Sequence, residues 1–215
     1  MSGQVQKIVP EDFLDERQRE QLSEYANLLV EWNKKFNLTA ILEQQSIMQD
    51  HFQDSLSLGC IVDLHHTKGL VDVGSGGGFP GLPLKIAFPD LRVVLVEVNE
   101  KKCLFLEAVI KALNLKHVEL CAYDWRSFLR NTSYPIDLVC ARASLQPSEL
   151  IRMFKTSTPY YQATLFYWAS CHWKVDRQIA PFVDLVWPYQ VGQKQRALVR
   201  MKRVLDEKFP MKEQQ

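Results

Sequence analysis

The chain has 215 residues, of which 47% are hydrophobic and 24% charged, and its formal net charge is +1 at pH 7. This composition is ordinary for a globular protein and gives no global sign of nucleic-acid binding, so any RNA surface must be formed locally. The five cysteines contain no C-x-x-C pair, which argues against a disulfide framework or a zinc site and is typical of a reducing cytoplasm. Because no apolar run of about 18 residues is present, we expect a soluble, unexported protein.

The N-terminal region is predicted to be helical. Pro10 suits a helix start, and apolar side chains then recur at helical spacing at Leu22, Tyr25, Leu28, Leu29, Trp32 and Phe36, which indicates one stripe packed on the main domain. A second helix is predicted over about Ser46 to Gly59, with Ser46 as its N-cap. His51, Asp54 and Ser55 would share one face of that helix. Their role is either structural or contact with a substrate, since they cannot easily take the relay geometry of a hydrolase triad.

A glycine-rich loop dominates the middle of the chain. A short apolar strand, Leu70 to Val73, carries an acid at Asp72, and five glycines follow, at Gly74, Gly76, Gly77, Gly78 and Gly81. Glycine allows close backbone approach and positive φ but costs about 1 kcal/mol in an ordered element, so five together indicate a binding loop. Strand, glycine turn, helix and a second strand form the nucleotide-binding half of a doubly wound sheet.

The spacing of the glycines distinguishes between nucleotides. The dinucleotide pattern G-x-G-x-x-G fails when counted from Gly74. It is met only when counted from Gly76, which starts late in the loop and includes Pro80. A nicotinamide-dependent oxidoreductase is therefore a weaker alternative. An acid beside the glycines would repel a pyrophosphate but suits a cationic ligand. S-adenosylmethionine carries an ammonium and a sulfonium, and Glu97, near the end of the strand Leu91 to Val98, is predicted to hold its ribose.

The next elements are predicted in order along the chain. A short helix runs from Pro83 to Phe88, and a longer one follows with Asn99 as its N-cap. Its inward residues are predicted to be Leu104, Phe105, Ala108 and Leu113. Lys101 and Lys102, in its first turn, are best explained as solvated surface, with RNA contact as the alternative. The third strand is predicted at Val118 to Ala122.

Tyr123 to Arg126 follow the third strand, where many methyltransferases hold adenine. Trp125 would either stack on adenine or lie in the core. The fourth strand is predicted over Pro135 to Ala143. Near its end it carries Arg142, which can clamp a phosphate or bond guanine O6. Cys140 lacks the preceding proline of a cytosine-methylating nucleophile, so we interpret it as a buried small residue.

The C-terminal part is predicted to complete the sheet. After a helix over Pro147 to Lys155, an apolar strand begins at Ala163, and the last two strands run from Phe182 to Tyr189 and from Leu198 to Val204. Between Gln190 and Leu205 the charged residues are all basic: Lys194, Arg196, Arg200, Lys202 and Arg203. Such a run is either a protected sheet edge or a surface for the phosphate backbone.

The motifs resemble one known family. Asp-Val-Gly-Ser-Gly-Gly-Gly-Phe-Pro-Gly-Leu-Pro-Leu is similar to the cofactor loop of the glucose-inhibited division protein B family, which comprises bacterial N7-guanine methyltransferases of small-subunit ribosomal RNA. The Trp-Asn-x-x-x-Asn-Leu-Thr segment at 32–39, the His-x-x-Asp-Ser-Leu segment at 51–56, Arg142 in Ala-Arg-Ala, and Arg196 match as well. Two departures are present, because Asp124 to Arg126 replace a usual Arg-x-Glu and the Lys-Gly turn expected near 163–170 is missing.

The resemblance implies a class I S-adenosylmethionine-dependent methyltransferase, an α/β Rossmann-like fold with a mostly parallel seven-stranded sheet. Residues 1–64 would form an N-terminal helical extension and 65–215 the methyltransferase domain. It implies methyl transfer to N7 of a guanine in 16S ribosomal RNA, with that RNA or the ribosomal subunit as partner. Separately, we expect a cytoplasmic monomer without metal. A non-catalytic RNA-binding relative is the alternative. The implied cofactor residues are Asp72, Gly74, Gly76, Gly78, Phe79, Glu97 and Arg142, the last also catalytic. Trp125 and Arg126, where the sequence departs from the family, are predicted cofactor residues because they follow the third strand. Weaker RNA candidates are His51, Asp54, Lys101, Lys102 and Arg196.

Overall fold

One mostly parallel sheet organises the protein. The computed structural model describes residues 6–7, 14–41 and 43–203. Its strands lie in the order β1-β7-β8-β6-β5-β2-β3-β4, and only β8 runs antiparallel to its neighbours. The bounds are β1 Gln6–Lys7, β2 Leu70–Val73, β3 Val93–Val96, β4 Val118–Cys121, β5 Leu138–Arg142, β6 Thr164–Ser170, β7 Val183–Val191 and β8 Lys194–Met201.

The predicted fold class is confirmed. All seven predicted strands are present, and the two-residue β1 adds an eighth, which pairs with β7 at the edge although it lies within the predicted helical extension. The last strand begins at Lys194 rather than Leu198, so part of the basic run lies inside it, and Val204 lies outside the described residues. Because β2 to β5 are parallel neighbours, the loops that follow them meet at one edge of the sheet.

Side chains alternate between two cores, one on each face of the sheet. Leu70 packs into the first core and Val71 and Val73 into the second, as the period of two along a strand requires. Both faces are buried, which explains why β2 and β3 are continuous apolar runs rather than alternating ones.

The first helix, α1 Glu16–Phe36, begins at a capping box: Asp15 accepts from the backbone of Gln18, whose side chain bonds the Asp15 N–H. The predicted apolar stripe is confirmed, since Leu22, Tyr25 and Leu29 are fully buried. The predicted start near Pro10 lies outside the described residues.

The second helical segment, 44–60, is less regular than predicted. It consists of α2 Gln44–Ile47, a π-helical stretch Met48–Gln53, α3 Asp54–Leu56 and a 3₁₀ turn Ser57–Cys60. Ser46 as N-cap is wrong: Glu43 takes that position, and the Ser46 hydroxyl, one turn inside, donates to the Glu43 carboxylate. π-helical turns often mark functional sites, and this one carries His51.

The remaining helices are α4 Gly81–Ala87, α5 Glu100–Ala112, α6 Trp125–Asn131 and α7 Pro147–Leu150, the last continued by a 3₁₀ turn Ile151–Phe154. The Asn99 cap is confirmed, because its side chain accepts from the backbone of Lys101 and Lys102. Leu104 as an inward residue is wrong: it is 52% exposed. Phe105 and Leu113 are buried as predicted, and Leu106 and Val109 are the other buried apolar residues on this side of the helix.

Candidate functional site

The glycine loop after β2 has a backbone that other residues do not easily adopt. Gly74, Gly76 and Gly78 have φ of 67°, 60° and 90°. A Cβ on Gly74 would lie 2.4 Å from the Ser144 Cβ, so no larger residue fits there without movement. The N–H groups of Gly74 and Ser75 donate to the carbonyl of Val96 at 2.8 and 3.1 Å, which fixes the loop against the end of β3.

Asp72 lies beneath this loop rather than on a cleft wall. It is fully buried, and its Oδ2 accepts from the Gly81 N–H at 2.9 Å, at the start of α4. Burial raises the pKa of this carboxyl to about 7. Because the Gly81 amide is engaged by the protein's own carboxylate, it is not free for a pyrophosphate, which disfavours the dinucleotide register. Direct contact between Asp72 and a ligand stays a prediction.

Glu97 fixes the other side of the loop. Its carboxylate accepts from the N–H groups of Gly76, Val98 and Asn99 at 2.8, 2.9 and 2.9 Å. The residue is only 6% exposed, yet it borders a cleft of about 330 Å³, here called the small cleft. Its lining comprises Val73, Gly74, Val96, Glu97, Val98, Lys102, Tyr123, Asp124, Trp125, Ala143, Ser144 and Leu145.

The small cleft has two exposed apolar side chains, Val98 at 61% and Tyr123 at 45%. Apolar flanks beside a carboxylate suit a nucleoside, since the ring is apolar on its faces and the ribose hydroxyls are donors. Ser144 adds a buried Oγ that has no hydrogen-bond partner among the described residues. An orphaned acceptor in such a place fits a ligand with donor groups, so the residues present suit S-adenosylmethionine.

Trp125 and Arg126 differ in their relation to the small cleft. Trp125 is a buried residue at its border: its ring stacks on Phe128 with centroids 5.7 Å apart, and its Nε1–H donates to the carbonyl of Glu149 at 3.1 Å. The Arg126 side chain instead pairs with the Glu149 carboxylate at 3.0 Å and is not part of the lining. Cofactor contact through either residue stays a prediction.

A larger cleft of about 510 Å³ lies on the other side of Gly74 and is here called the large cleft. It brings together residues from the glycine loop, the second helical segment and the ends of β5, β6 and β8. The predicted residues in its lining are His51, Asp54, Gly74, Gly76, Phe79, Lys102, Arg142 and Arg196. Lys102 and Gly74 border both clefts, so the two clefts adjoin.

Arg142 joins the sheet to the second helical segment. Its Nη1 donates to the Asp50 carbonyl at 3.0 Å and to Asp54 Oδ2 at 3.1 Å. Its Nη2 donates to His51 Nδ1 at 3.0 Å. The guanidinium carbon also lies 5.0 Å from the centre of the Phe79 ring. These contacts fix Arg142 in place before any substrate binds.

Asp54 is the buried acceptor of this network. Tyr189 donates its hydroxyl to Asp54 Oδ1 at 2.6 Å, and the Trp168 indole donates to the Asp54 carbonyl at 2.8 Å. Asp54 and Arg142 form an ion pair whose side chains are only 4% and 13% exposed. These contacts are all within the protein and support the structural interpretation of Asp54, and RNA contact stays a prediction.

His51 is held neutral. Burial, together with the Arg142 charge, lowers its pKa to about 3. Its ring stacks on Phe79 with centroids 4.3 Å apart, and its Nε2 lies 3.0 Å from the Thr39 hydroxyl. A neutral imidazole in this position provides polar contacts but is not a charged group for RNA phosphate.

The neighbouring lysines Lys101 and Lys102 have different surroundings. Lys102 borders both clefts, whereas Lys101 is exposed and lies over the Phe36 ring at 5.9 Å, outside the cleft linings. Their side chains point to different sides because successive residues of a helix are about 100° apart.

Several lining residues escaped the sequence-based selection. Thr39, Ser144, Tyr167 and Trp173 border the clefts, and Tyr189 supports Asp54 from 135 positions away in the chain. Thr39 closes the Trp-Asn-x-x-x-Asn-Leu-Thr segment and Ser144 directly follows the Ala-Arg-Ala segment, so both could have been selected there. Nothing in the local sequence around Tyr189 indicates its partner, because that contact depends on strand order.

Within the part of the chain that the structure describes, no helix is long and apolar enough to cross a membrane, and no group of three or more His, Cys, Asp or Glu residues has a metal-binding arrangement.

Comparison with known proteins then decides the family. A family model described as rRNA small subunit methyltransferase G matches residues 18–170. The chain belongs to this family. The methyltransferase G of Leuconostoc citreum is 42% identical over 141 residues, that of Bacillus subtilis 40% over 139, and that of Staphylococcus carnosus 36% over 150. These matches cover 64%, 64% and 68% of the chain, but 59%, 58% and 62% of the methyltransferase G relatives.

Solved structures agree on the fold. A variant of the protein MtNAS, crystallised with S-adenosylmethionine, has a TM-score of 0.59 at 16% identity, over 86% of this chain and 73% of that one. The protein TrmN of Thermus thermophilus has a TM-score of 0.52 at 14% identity, over 71% of this chain and 48% of that one. At such identities the likeness concerns the fold alone and supports the class I methyltransferase fold.

Proposed function

We propose that the protein binds S-adenosylmethionine in the small cleft and transfers its methyl group to N7 of a guanine of small-subunit ribosomal RNA held in the large cleft. The observation that carries this proposal is the pair of adjoining clefts at Gly74. The lining of the small cleft suits a nucleoside, and the large cleft contains Arg142, which is fixed by the protein's own contacts. When bound, S-adenosylmethionine supplies an activated methyl group on a sulfonium. The chain's own residues bind and orient it.

Each wall of the small cleft has a distinct task in this proposal. Glu97 accepts from a ribose hydroxyl with the one Oε2 lone pair that its three backbone contacts leave free, and Val98 and Tyr123 flank the adenine. The glycine loop approaches the amino-acid part closely because it has no side chains, and Ser144 Oγ gains the donor it lacks.

The chemistry at N7 requires no base from the protein. The N7 lone pair lies in the ring plane and is unprotonated near neutral pH, so no proton is removed before transfer, and catalysis is by proximity and alignment. The low pKa of His51 is consistent with a positioning group. Arg142 and Arg196 at the large cleft supply positive charge for the RNA, and Tyr167 and Trp173 supply aromatic faces on which an unpaired base can stack.

The second candidate is a non-catalytic relative that keeps the cofactor. The specific observation in its favour is the departure at β6, where Tyr167 and Trp168 occupy a segment in which the family was expected to have a Lys-Gly turn. Binding of S-adenosylmethionine without methyl transfer would support that candidate.

We further propose, from the sequence, that the protein acts as a cytoplasmic monomer without metal. We also propose that the chain consists of an N-terminal extension, residues 1–64, and a methyltransferase domain, residues 65–215. The contacts between α1 and the glycine loop support a close association of these two parts.

Radiolabelled methyl transfer tests the function. Small subunits, and naked RNA from them, are prepared from a strain that lacks the corresponding methylation, and the nucleosides are separated after reaction. Label in 7-methylguanosine supports the proposal. Label in another nucleoside contradicts it, and so does the absence of label when calorimetry shows that the cofactor binds. The matched variants are Lys102→Gln, expected to lower the rate because Lys102 borders both clefts, and Lys101→Gln, expected to leave it unchanged.

A further inference from the structure

Thr39 lies just beyond the end of α1 and borders the large cleft. Its backbone N–H donates to Asn33 Oδ1 at 2.8 Å, which fixes the turn. Its hydroxyl oxygen accepts from the Ile41 N–H at 3.1 Å and lies 3.0 Å from His51 Nε2. This hydroxyl is thus immobilised at the cleft wall by two neighbours.

The direction of the contact with His51 follows from Arg142. An arginine has donors only, so its Nη2, 3.0 Å from His51 Nδ1, requires that this nitrogen be an unprotonated acceptor. In the neutral ring the proton is then on Nε2. His51 Nε2–H therefore donates to the Thr39 oxygen.

A hydroxyl has one donor proton and two acceptor lone pairs. Both lone pairs of Thr39 are engaged, by the Ile41 amide and by His51. Its proton is left to donate, and Thr39 lines the large cleft. The chain Asp54–Arg142–His51 thus presents a hydrogen-bond donor of fixed direction to whatever occupies that cleft.

We infer that the Thr39 hydroxyl donates to O6 of the target guanine and selects guanine over adenine. This inference rests on the proposed function. The major-groove edge of guanine has two acceptors, N7 and O6, whereas adenine has the acceptor N7 and the donor N6–H₂. The N7 lone pair must remain free to receive the methyl group, so a donor at that edge belongs on O6. Adenine would place its amino group against the Thr39 proton.

The test combines substitutions in the protein and in the base. A synthetic RNA with the target guanine is compared with the same RNA carrying 2-aminopurine, which keeps N7 and lacks O6, or 2,6-diaminopurine, which has an amino group in place of O6. For Thr39→Val we expect methylation of the guanine RNA to fall about five- to tenfold, as for loss of one neutral hydrogen bond, and that of the 2-aminopurine RNA to stay within about twofold. Thr39→Ser keeps the hydroxyl and should retain the preference for guanine. Rejection of 2,6-diaminopurine should weaken in Thr39→Val.

Other outcomes overturn the inference in distinguishable ways. An equal fall with guanine and 2-aminopurine would show that Thr39 acts only through His51 or on the RNA backbone. An unchanged rate of Thr39→Val with the guanine RNA would show that the hydroxyl makes no contact with O6. If the wild type methylates the guanine and 2-aminopurine RNAs equally well, O6 is not recognised at all. If the wild type methylates no guanine at all, the proposed function fails and the inference with it. Calorimetric binding of S-adenosylmethionine to each variant shows that it is folded.

Discussion

The Asp54–Arg142 pair offers a quantitative test of the network at the large cleft. Asp54→Asn removes the charge and places an amide where the carboxylate accepted from Arg142 and Tyr189. Because the Asp54 and Arg142 side chains are only 4% and 13% exposed, solvent does little to compensate the arginine. Breaking a buried pair by removing one partner costs about 3–5 kcal/mol.

The assay is equilibrium unfolding in urea. With a slope of about 2–3 kcal/mol per M, the loss corresponds to a midpoint lowered by roughly 1–2.5 M. Asp184→Asn is the matched control, since Asp184 pairs with Arg200 at 2.9 Å on the surface, where the side chains are 38% and 31% exposed. Such pairs contribute about 0–1 kcal/mol. If Asp54→Asn destabilises the protein no more than Asp184→Asn, the network does not hold the second helical segment on the sheet.

Three further predictions concern the pH dependence set by His51 and Asp72, the backbone of Gly74, and the hydroxyl of Tyr25. The pKa of His51 is lowered from 6.5 to about 3, so its contribution to stability is present above pH 6.5 and is lost as the pH falls towards 3. The pKa of Asp72 is raised from 3.8 to about 7, so its contribution is present below pH 3.8 and is lost as the pH rises towards 7. The two oppose each other, and unfolding of Asp72→Asn between pH 4.5 and 6 should show stability rising with pH more steeply than in the wild type, by up to about 1.4 kcal/mol per pH unit. Gly74→Ala should abolish cofactor binding in calorimetry, because its Cβ would meet the Ser144 Cβ at 2.4 Å. Tyr25→Phe removes the hydroxyl that donates to the Gly77 carbonyl in the loop and should weaken cofactor binding about two- to tenfold.

Matched variants make these predictions specific. Gly192→Ala also has a positive φ, of 56°, but its Cβ would meet only the flexible Gln49 side chain, so a cost of about 1–2 kcal/mol without loss of ligand is expected. Tyr160→Phe removes a buried hydroxyl that bonds Thr132 and Tyr134 away from both clefts. If Gly192→Ala weakens cofactor binding as much as Gly74→Ala, or Tyr160→Phe as much as Tyr25→Phe, the cofactor is not bound beside the glycine loop. If the dependence of stability on pH is the same in Asp72→Asn as in the wild type, the pKa of Asp72 is not raised.

The sequence predicted those features that depend on local chemistry. The strand Leu70–Val73, the Asn99 cap and the glycine loop were correct because each is determined by residues within a few positions. The Ser46 cap was wrong because several polar residues compete to start that segment, and the π-helical stretch that follows has no sequence signature.

The candidate site was predictable in its parts but not in its assembly. The sequence identified His51, Asp54 and Arg142 separately, yet the contacts among them depend on how the second helical segment docks beside β5. The position of Asp72 beneath the loop also could not be read from its place beside the glycines. Burial of that carboxyl depends on α4 and β3 closing over it, since Gly81 packs against both Asp72 and Leu95.

The two clefts differ in the parts of the chain that form them, and this has a consequence for inhibitor design. The small cleft is lined mainly by the ends of β2 and β3 and by the residues that follow β2 to β5. The large cleft takes one wall from Thr39 and His51, which precede the sheet's central strands in the chain. A compound anchored on those side chains and on Arg142 would find its polar partners already immobilised, and it would contact a wall that the small cleft lacks.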